Sequence, residues 1–208
     1  MTLPFVSVTD LGILLGQDLS SSELATIAID SSCEMIRSYL GQHLNWVEDD
    51  VVTMGGTGGK ALLLPELPIV SISEILVDET VEEDFVYVVK AGLVYRGNGT
   101  IWPRGVANIT VTYSHGYAFD EDDVEDDPDD DTPKPERMPA DIRRVALALS
   151  QRIFVSAGTV VGALKSESIS PDSYTYTLAD TASSAAASTV IAPEEMFVLD
   201  FYRFAGVA

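Results

Sequence analysis

Residues 139–154 constrain the fold of this 208-residue chain more than any other stretch. Pro139 suits the first turn of a helix, where its missing N–H needs no partner, and Asp141 lies where the helix dipole favours negative charge. Leu147 and Phe154 form one apolar stripe. A second stripe recurs at helical spacing and consists of Ile142, Val145, Ala146, Leu149 and Ile153. The two stripes predict a helix that is either central in the subunit or shared with another subunit.

Residues 1–43 are also predicted to be helical. A short first helix is expected to have Thr9 or Asp10 as its cap and Leu14 among its apolar contacts. Ser20 and Glu23 form the pattern of a capping box for a second helix, which Gly41 is expected to end. The apolar face of this second helix consists of Ala25, Ala28, Ile29, Ser32, Ile36, Tyr39 and Leu40.

Residues 44–117 change to a β pattern rich in β-branched and aromatic side chains. Glycines in 55–60 and Gly92 in 90–92 predict two hairpin tips. Short strands separated by tight turns favour a small antiparallel sheet or sandwich. The predicted strands are 50–54, 61–64, 69–77, 85–89, 93–95 and 108–113.

Negative charge dominates the chain, whose formal net charge is −21. Ten of the twelve residues in 120–131 are acidic, so residues 118–137 are predicted to be a flexible loop. This balance argues against binding nucleic acid through phosphate contacts, which needs basic clusters. Five of the twelve basic residues lie close together in sequence, at Lys134, Arg137, Arg143, Arg144 and Arg152.

The C-terminal part is predicted to hold a helix break at Gly158, a connector over 156–173, a strand over 174–178 and a last helix from Pro193. Several of its aromatic side chains suit a protein contact, because tyrosine and phenylalanine bury large areas at modest entropic cost. Ordinary sheet and core packing remains the alternative. The aromatic residues concerned are Tyr174, Tyr176, Phe197, Phe201, Tyr202 and Phe204.

These patterns predict an α+β fold, a small helical bundle with an inserted antiparallel β-module and a flexible acidic loop. The predicted parts are 1–43, the N-terminal helices; 44–117, the β-module; 118–137, the acidic loop; and 138–208, which completes the bundle. No apolar run reaches the roughly 20 residues that a membrane span needs, and the N-terminus lacks a signal-peptide pattern.

The common enzymatic and metal-binding patterns are missing from the sequence. Residues 55–60 fail as a phosphate-binding loop, because Thr53 and Ala61 stand where the motif needs Gly and Ser or Thr. The acidic run has no glycine for a calcium loop. Cys33 and two histidines make a zinc site unfavourable, and His115 has no local support for a catalytic triad. We therefore expect no enzyme, no cofactor and no metal.

The opening stretch resembles the head-to-tail connector (adaptor, head-completion) proteins of long-tailed bacteriophages. The resemblance lies in the order of the predicted elements and in their residue patterns, and it covers about half of the chain. It involves no invariant catalytic residues. It rests on residues 8–11, 20–23, 138–146, 166–169, 173–176, 194–199 and 202–203.

The resemblance implies a structural neck protein that forms a ring, typically dodecameric, below the portal protein. Such a ring extends the DNA channel, lets DNA pass without specific binding, and docks the next connector, stopper or tail protein. It implies location in the virion after synthesis in the host cytoplasm, with no membrane. The expected contacts with the portal or with neighbouring copies are Arg143, Arg144, Arg152, Tyr174, Tyr176, Phe197, Phe201, Tyr202, Arg203 and Phe204.

Two roles for charge follow. Part of the excess acid is expected to line a lumen, where it repels phosphate. A head-to-tail ring also needs two different complementary patches on each subunit. The acidic run 120–131 and the arginines of the 139–154 helix are one candidate pair. The other interpretation is that the acidic run is only a solubilising spacer. The alternative function is a carbohydrate- or protein-binding β-module, with Trp46 or Trp102 as a sugar platform, and a small hydrolase using His115 is a third.

Overall fold

The computed structural model describes residues 3–119, 133–162 and 190–203, with the side chains after Ala157 in the second range left aside. The chain divides into two compact units. The helical unit comprises Pro4–Tyr39 and Ala140–Tyr202, and the β unit is built on Leu40–Pro139. The α+β fold class is confirmed.

The described part of the helical unit contains four α-helices, and none of them is long and apolar enough to cross a membrane. A single 3-10 turn over Asp200–Tyr202 follows the last one. The helices are α1 (Val8–Leu15), α2 (Glu23–Leu40), α3 (Ala140–Gly162) and α4 (Pro193–Leu199).

Both predicted N-terminal caps are wrong by two or three residues. Helix α1 is capped by Ser7, whose Oγ accepts from the Asp10 N–H at 3.0 Å while the Asp10 carboxylate accepts from the Ser7 N–H at 3.0 Å. Helix α2 begins after Ser22, whose Oγ accepts from the Ala25 N–H at 3.3 Å. Ser20 instead donates its N–H to Asp18 at 3.0 Å, so it is part of the preceding turn. Closely spaced serines leave the cap ambiguous in sequence.

The predicted apolar face of α2 is confirmed, and Gly41 ends the helix with a φ of 72°. All members of that face are buried except Tyr39, which is half-buried. Ser32 lies in contact with α3, because its Oγ is 2.6 Å from the Oγ of Ser150. Both hydroxyls are fully buried, and each Oγ is also within hydrogen-bond distance of a carbonyl of its own helix. Two protons serve these three contacts, so one hydroxyl donates to the other and the second donates to its helix carbonyl.

Helix α3 does not break at Gly158 but continues to Gly162, so the predicted break and the predicted connector over 156–162 are wrong. A glycine inside a helix costs only about 1 kcal/mol relative to alanine, which does not by itself end a long helix. The predicted strand at 174–178 lies outside the described residues. The buried stripe is confirmed for Ile142, Val145, Ala146 and Leu149, whereas Ile153 is half-buried.

The described strands of the β unit form two antiparallel sheets, with the orders β1-β7-β3-β4 and β2-β6-β5. The hairpin of β5 and β6 around Gly92 is confirmed. The two-residue strand β4 was not predicted. The strands are β1 (Val47–Met54), β2 (Ala61–Leu63), β3 (Ile69–Val77), β4 (Thr80–Val81), β5 (Phe85–Val88), β6 (Leu93–Arg96) and β7 (Ile109–His115).

The predicted hairpin of β1 and β2 is wrong, because β1 pairs with β7 and β2 pairs with β6 in the other sheet. The glycine segment 55–60 docks on residues 102–108 instead. The Gly56 N–H donates to Asn108 Oδ1 at 2.8 Å, and the Gly56 carbonyl accepts from the Gly105 N–H at 3.0 Å. A Cβ on Gly56 would lie 1.8 Å from the Pro103 carbonyl oxygen, so the glycine permits this close approach.

Trp102 is fully buried in the core of the β unit, and its indole N–H donates to the Val94 carbonyl at 3.0 Å. It therefore cannot form the sugar platform of the alternative function. Trp46 is half-buried. The buried core around Trp102 consists of Leu62, Leu64, Ile69, Ile75, Val94, Ile109, Val111 and Tyr113.

The two ends of the acidic segment are joined within the β unit. The Ala118 N–H donates to the Glu136 carbonyl at 2.9 Å, and the Met138 N–H donates to the Ala118 carbonyl at 2.8 Å. The predicted flexibility concerns mainly residues 120–132, which lie outside the described residues.

Candidate interface of the helical unit

The short helix α4 is held on α3 by an ion pair. Arg152 donates through Nη1 to Glu195 Oε1 at 2.8 Å and through Nη2 to Glu195 Oε2 at 2.6 Å. The same carboxylate accepts from the Ala192 N–H at 2.9 Å. Burial alone would raise the pKa of Glu195, but the hydrogen bonds from Arg152 and Ala192 outweigh it, and the pKa lies below its ordinary value.

The far end of the α4 segment is fixed by two tyrosine hydroxyls. Tyr202 donates to the Asp141 carboxylate, with its Oη 2.8 Å and 2.9 Å from the two oxygens. Tyr39 of α2 donates to Asp200 Oδ1 at 2.7 Å. Leu199 is fully buried between these anchors. The segment is therefore held at both ends, which orients its opposite face outward.

That outward face carries two phenylalanines, Phe197 and Phe201, which we call the aromatic pair. Their side chains are 68% and 76% exposed. The rings meet edge to face, with centroids 5.5 Å apart and an interplanar angle of 85°. Aromatic rings prefer this arrangement. These two large apolar side chains are exposed to solvent on an anchored segment, so they form a candidate surface for binding another protein.

A second apolar surface lies between α1 and α3, and we call it the α1–α3 groove. It is open to solvent and has a volume of about 380 Å³. Ile13 and Leu14 project into this region, with exposures of 76% and 47%. Leu14, predicted as an apolar contact of the first helix, therefore lies at the groove and is largely exposed. The groove is lined by Val6, Asp10, Ile13, Leu14, Ala140, Arg143, Arg144 and Leu147.

Two of the predicted contact arginines lie at this groove. Arg143 is 45% exposed, with its Nη2 3.6 Å from Asp10 Oδ2. Arg144 is exposed, and its charge contributes to the low pKa of Glu195. An exposed, loosely paired guanidinium retains the capacity to bind a carboxylate of another molecule.

The other predicted contact residues have different surroundings. Arg152 is 28% exposed and its guanidinium is taken up by Glu195. Tyr202 is half-buried and holds Asp141, whereas Arg203 is exposed. Tyr174, Tyr176 and Phe204 lie outside the described residues.

The groove itself was not found from the sequence. Leu147, in the stripe that it forms with Phe154, is the one sequence signal that points to it. Ile13 and Leu14 are exposed because α1 packs through the face that carries Leu11 and Gly12. In an eight-residue helix with several apolar residues, the sequence does not show which face is buried.

The surroundings of His115 do not form a catalytic triad within the described residues. Its Nε2 lies 3.3 Å from Asp50 Oδ2, and burial lowers its pKa. Its Nδ1 has no hydrogen-bond partner among the described residues, and Ser114 Oγ accepts from the Asp49 N–H at 3.1 Å. The described residues also contain no cluster of three or more His, Cys, Asp or Glu side chains arranged to hold a metal.

The chain was compared with known proteins and solved structures. No family model and no curated protein matches it. The neck of an empty GTA (gene transfer agent) particle, computed with C6 symmetry, is similar at a TM-score of 0.48 and 12% identity, over 98% of this chain and 91% of that one. The neck of the native GTA particle, computed with C12 symmetry, is similar at a TM-score of 0.47 and 12% identity, over 100% and 97%.

Proposed function

We propose that this chain is a structural neck protein of a phage-like particle, a head-to-tail adaptor that forms a ring below the portal. The single observation that carries the proposal is that one compact helical unit exposes two different apolar surfaces, the aromatic pair and the α1–α3 groove. A ring of identical subunits that contact one another head to tail requires two different patches on each subunit.

The proposed position of the ring, below the portal, rests on the sequence resemblance to connector proteins. In this role the chain contacts the portal on one side and the next connector, stopper or tail protein on the other. The exposed residues Arg143, Arg144, Phe197, Phe201 and Arg203 are proposed as contacts with neighbouring copies or with the portal. Tyr174, Tyr176 and Phe204 are proposed for the same purpose on the sequence pattern alone.

The net charge of −21 is compatible with a channel through which DNA passes. Negative charge on a wall repels phosphate and prevents tight binding. We propose that part of the acid lines the lumen of the ring. Imaging of the assembled ring tests this directly, and a lumen lined mainly by arginine and lysine would contradict it.

Negative-stain imaging of the purified full-length chain, alone and mixed with the portal protein of the same particle, tests the proposed function. We expect ring-shaped particles, either alone or on the portal. A chain that stays monomeric and leaves the portal images unchanged would contradict the proposal. Serum albumin at the same concentration is the control for nonspecific attachment to the portal.

The alternative function was a carbohydrate- or protein-binding β-module, and its carbohydrate-binding form loses its principal support. Trp102 is inside the core of the β unit, and half-buried Trp46 alone gives a small platform. Stacking of a sugar ring needs an exposed aromatic face, and the large exposed aromatic rings of the described residues are those of the aromatic pair in the helical unit.

A further inference from the structure

We propose that the aromatic pair of one copy seats in the α1–α3 groove of the next copy, and that this contact closes the ring. The inference rests on the proposed function and names the two surfaces that would meet. Its occupant is a second copy of this chain.

The aromatic pair has the properties of an interface anchor. Phenylalanine side chains bury about 150–250 Å² each on contact, and here both start largely exposed, at 68% and 76%. Each ring restrains the other through the edge-to-face contact. Because Glu195 and Tyr202 already fix the segment, binding would order few further side chains, which lowers the entropic cost of association.

The groove offers a matching apolar receptor. Its volume of about 380 Å³ is open to solvent, and Ile13, Leu14 and Leu147 provide aliphatic walls. The side chain of Ile13 is 76% exposed in the described structure, so most of its apolar surface is uncovered within the subunit. An aromatic knob from another molecule would cover these side chains and remove their apolar surface from water.

The charges around the two surfaces are complementary. The stretch from Val190 to Tyr202 contains no lysine or arginine, although exposed Arg203 follows it directly, and exposed Glu194 lies on α4 beside the aromatic pair. The groove carries Arg143 and Arg144 on its rim. Asp10 lies 3.6 Å from Arg143, and Arg144 acts on Glu195 of its own subunit through charge alone, so both guanidinium groups are only partly offset. Glu194 of one copy would therefore meet a positive rim on the next, which steers the approach.

The two surfaces lie on different faces of α3. Arg143 and Leu147 line the groove, whereas Asp141 and Arg152 hold the α4 segment. Successive residues of a helix are rotated by about 100°, so these two sets point in clearly different directions. A contact between unlike surfaces on different faces is head to tail and can generate a ring.

Two variants of the full-length chain disable one surface each. The double substitution Phe197→Ser with Phe201→Ser removes the aromatic pair, and Ile13→Asp places a charge in the groove. All three positions are largely exposed, so the fold should be preserved, which circular dichroism checks. The matched control is Ile27→Asp, because Ile27 is 59% exposed on α2 and belongs to neither the aromatic pair nor the lining of the groove.

Sedimentation velocity and native mass spectrometry of the full-length proteins measure association. We expect the wild type and Ile27→Asp to assemble, and each surface variant to stay monomeric. An equimolar mixture of the two surface variants should form a heterodimer and stop there, because one intact pair and one intact groove remain. A symmetrical contact through either surface alone would not give this complementation.

Exchanging the charges of Arg143 and Glu194 tests whether the arginine rim of the groove contributes to association. Arg143→Glu should weaken association about tenfold or more, and adding Glu194→Arg in the same chain should recover most of it. Association that persists in both surface variants would overturn the inference and leave the proposed ring intact. Loss of association on deleting 120–131, with both surface variants unaffected, would also overturn it. Absence of any wild-type association, alone or on the portal, would overturn the inference and the proposed function together.

Discussion

Arg152 and Glu195 lie 43 residues apart in sequence and are joined by two hydrogen bonds of 2.8 Å and 2.6 Å. This pair fixes α4 on α3 and therefore sets the direction in which Phe197 and Phe201 point. The pair is itself mostly shielded, with side-chain exposures of 28% and 11%. Its role in an assembly is thus to position a contact surface within its own subunit.

Replacing Arg152 by methionine should lower the free energy of unfolding of the helical unit by about 1.5–3 kcal/mol, the value of a hydrogen-bonded charged group. The substitution leaves Glu195 shielded and without its guanidinium partner. Urea unfolding followed by far-ultraviolet circular dichroism measures the change. Arg143→Met is the matched control on the same helix, and it should cost less than about 1 kcal/mol, because its pair with Asp10 is exposed. Equal losses in the two variants would contradict this account.

The stabilisation from Glu195 should depend on pH. Its folded-state pKa is lowered from the ordinary value of 4.5, so its ionised form favours the folded state. The contribution is present above that ordinary value and is lost as the pH falls through the folded pKa. The difference in unfolding free energy between wild type and Glu195→Gln should therefore be largest near neutral pH and shrink in acid. A difference that stays constant from neutral pH into acid would show that the carboxylate charge is irrelevant.

Gly56 should tolerate no side chain, whereas Gly59 should tolerate one. Gly56→Ala would place its Cβ 1.8 Å from the Pro103 carbonyl oxygen, and the nearest atom at Gly59 is the Thr57 hydroxyl at 3.2 Å. We expect a loss of about 1–3 kcal/mol for Gly56→Ala, as for other overpacked sites, and a change below about 1 kcal/mol for Gly59→Ala.

Tryptophan fluorescence during urea unfolding measures both glycine variants, since Trp46 and Trp102 lie in the β unit. A neutral Gly56→Ala would contradict the close docking of Gly56 on Pro103.

Cys33 should be inert toward thiol reagents until the helical unit opens. Its side chain is 1% exposed and its Sγ accepts from the Phe5 N–H at 3.2 Å. Burial raises its pKa above the ordinary value, which reduces the reactive thiolate. Labelling with a chromogenic disulfide reagent should follow unfolding in urea. Ser38→Cys with Cys33→Ala supplies an exposed thiol on the same helix and should react at once in the native protein. Fast native labelling of the wild type would contradict the placement of Cys33.

Much of the fold could be predicted from local patterns. The face of α2, the strand at 69–77 and the hairpin around Gly92 follow from periodicity and turn chemistry, because nearby residues determine them. The pairing of β1 with β7 could not be predicted in this way. It joins residues far apart in sequence, such as Val52 with Val111. The docking of Gly56 on Asn108 and Pro103 is a long-range contact of the same kind.

The candidate interface was predictable only in part. The aromatic residues of the last helix stood out in the sequence, but their burial depends on which face α4 presents, and that is decided by Arg152 and Glu195. The sequence placed Arg152 with Arg143 and Arg144 as one basic surface. The structure separates them, since Arg152 faces α4 and Arg143 faces the groove. Positions nine residues apart lie on different faces of a helix.

The central claim is that copies of this chain associate head to tail into a ring in a particle neck. Native mass spectrometry of the full-length chain mixed with the portal protein of the same particle tests it most directly. We predict one dominant complex in which a closed set of several copies of this chain is bound to the portal. A spectrum showing only free portal and monomeric chain would contradict the claim.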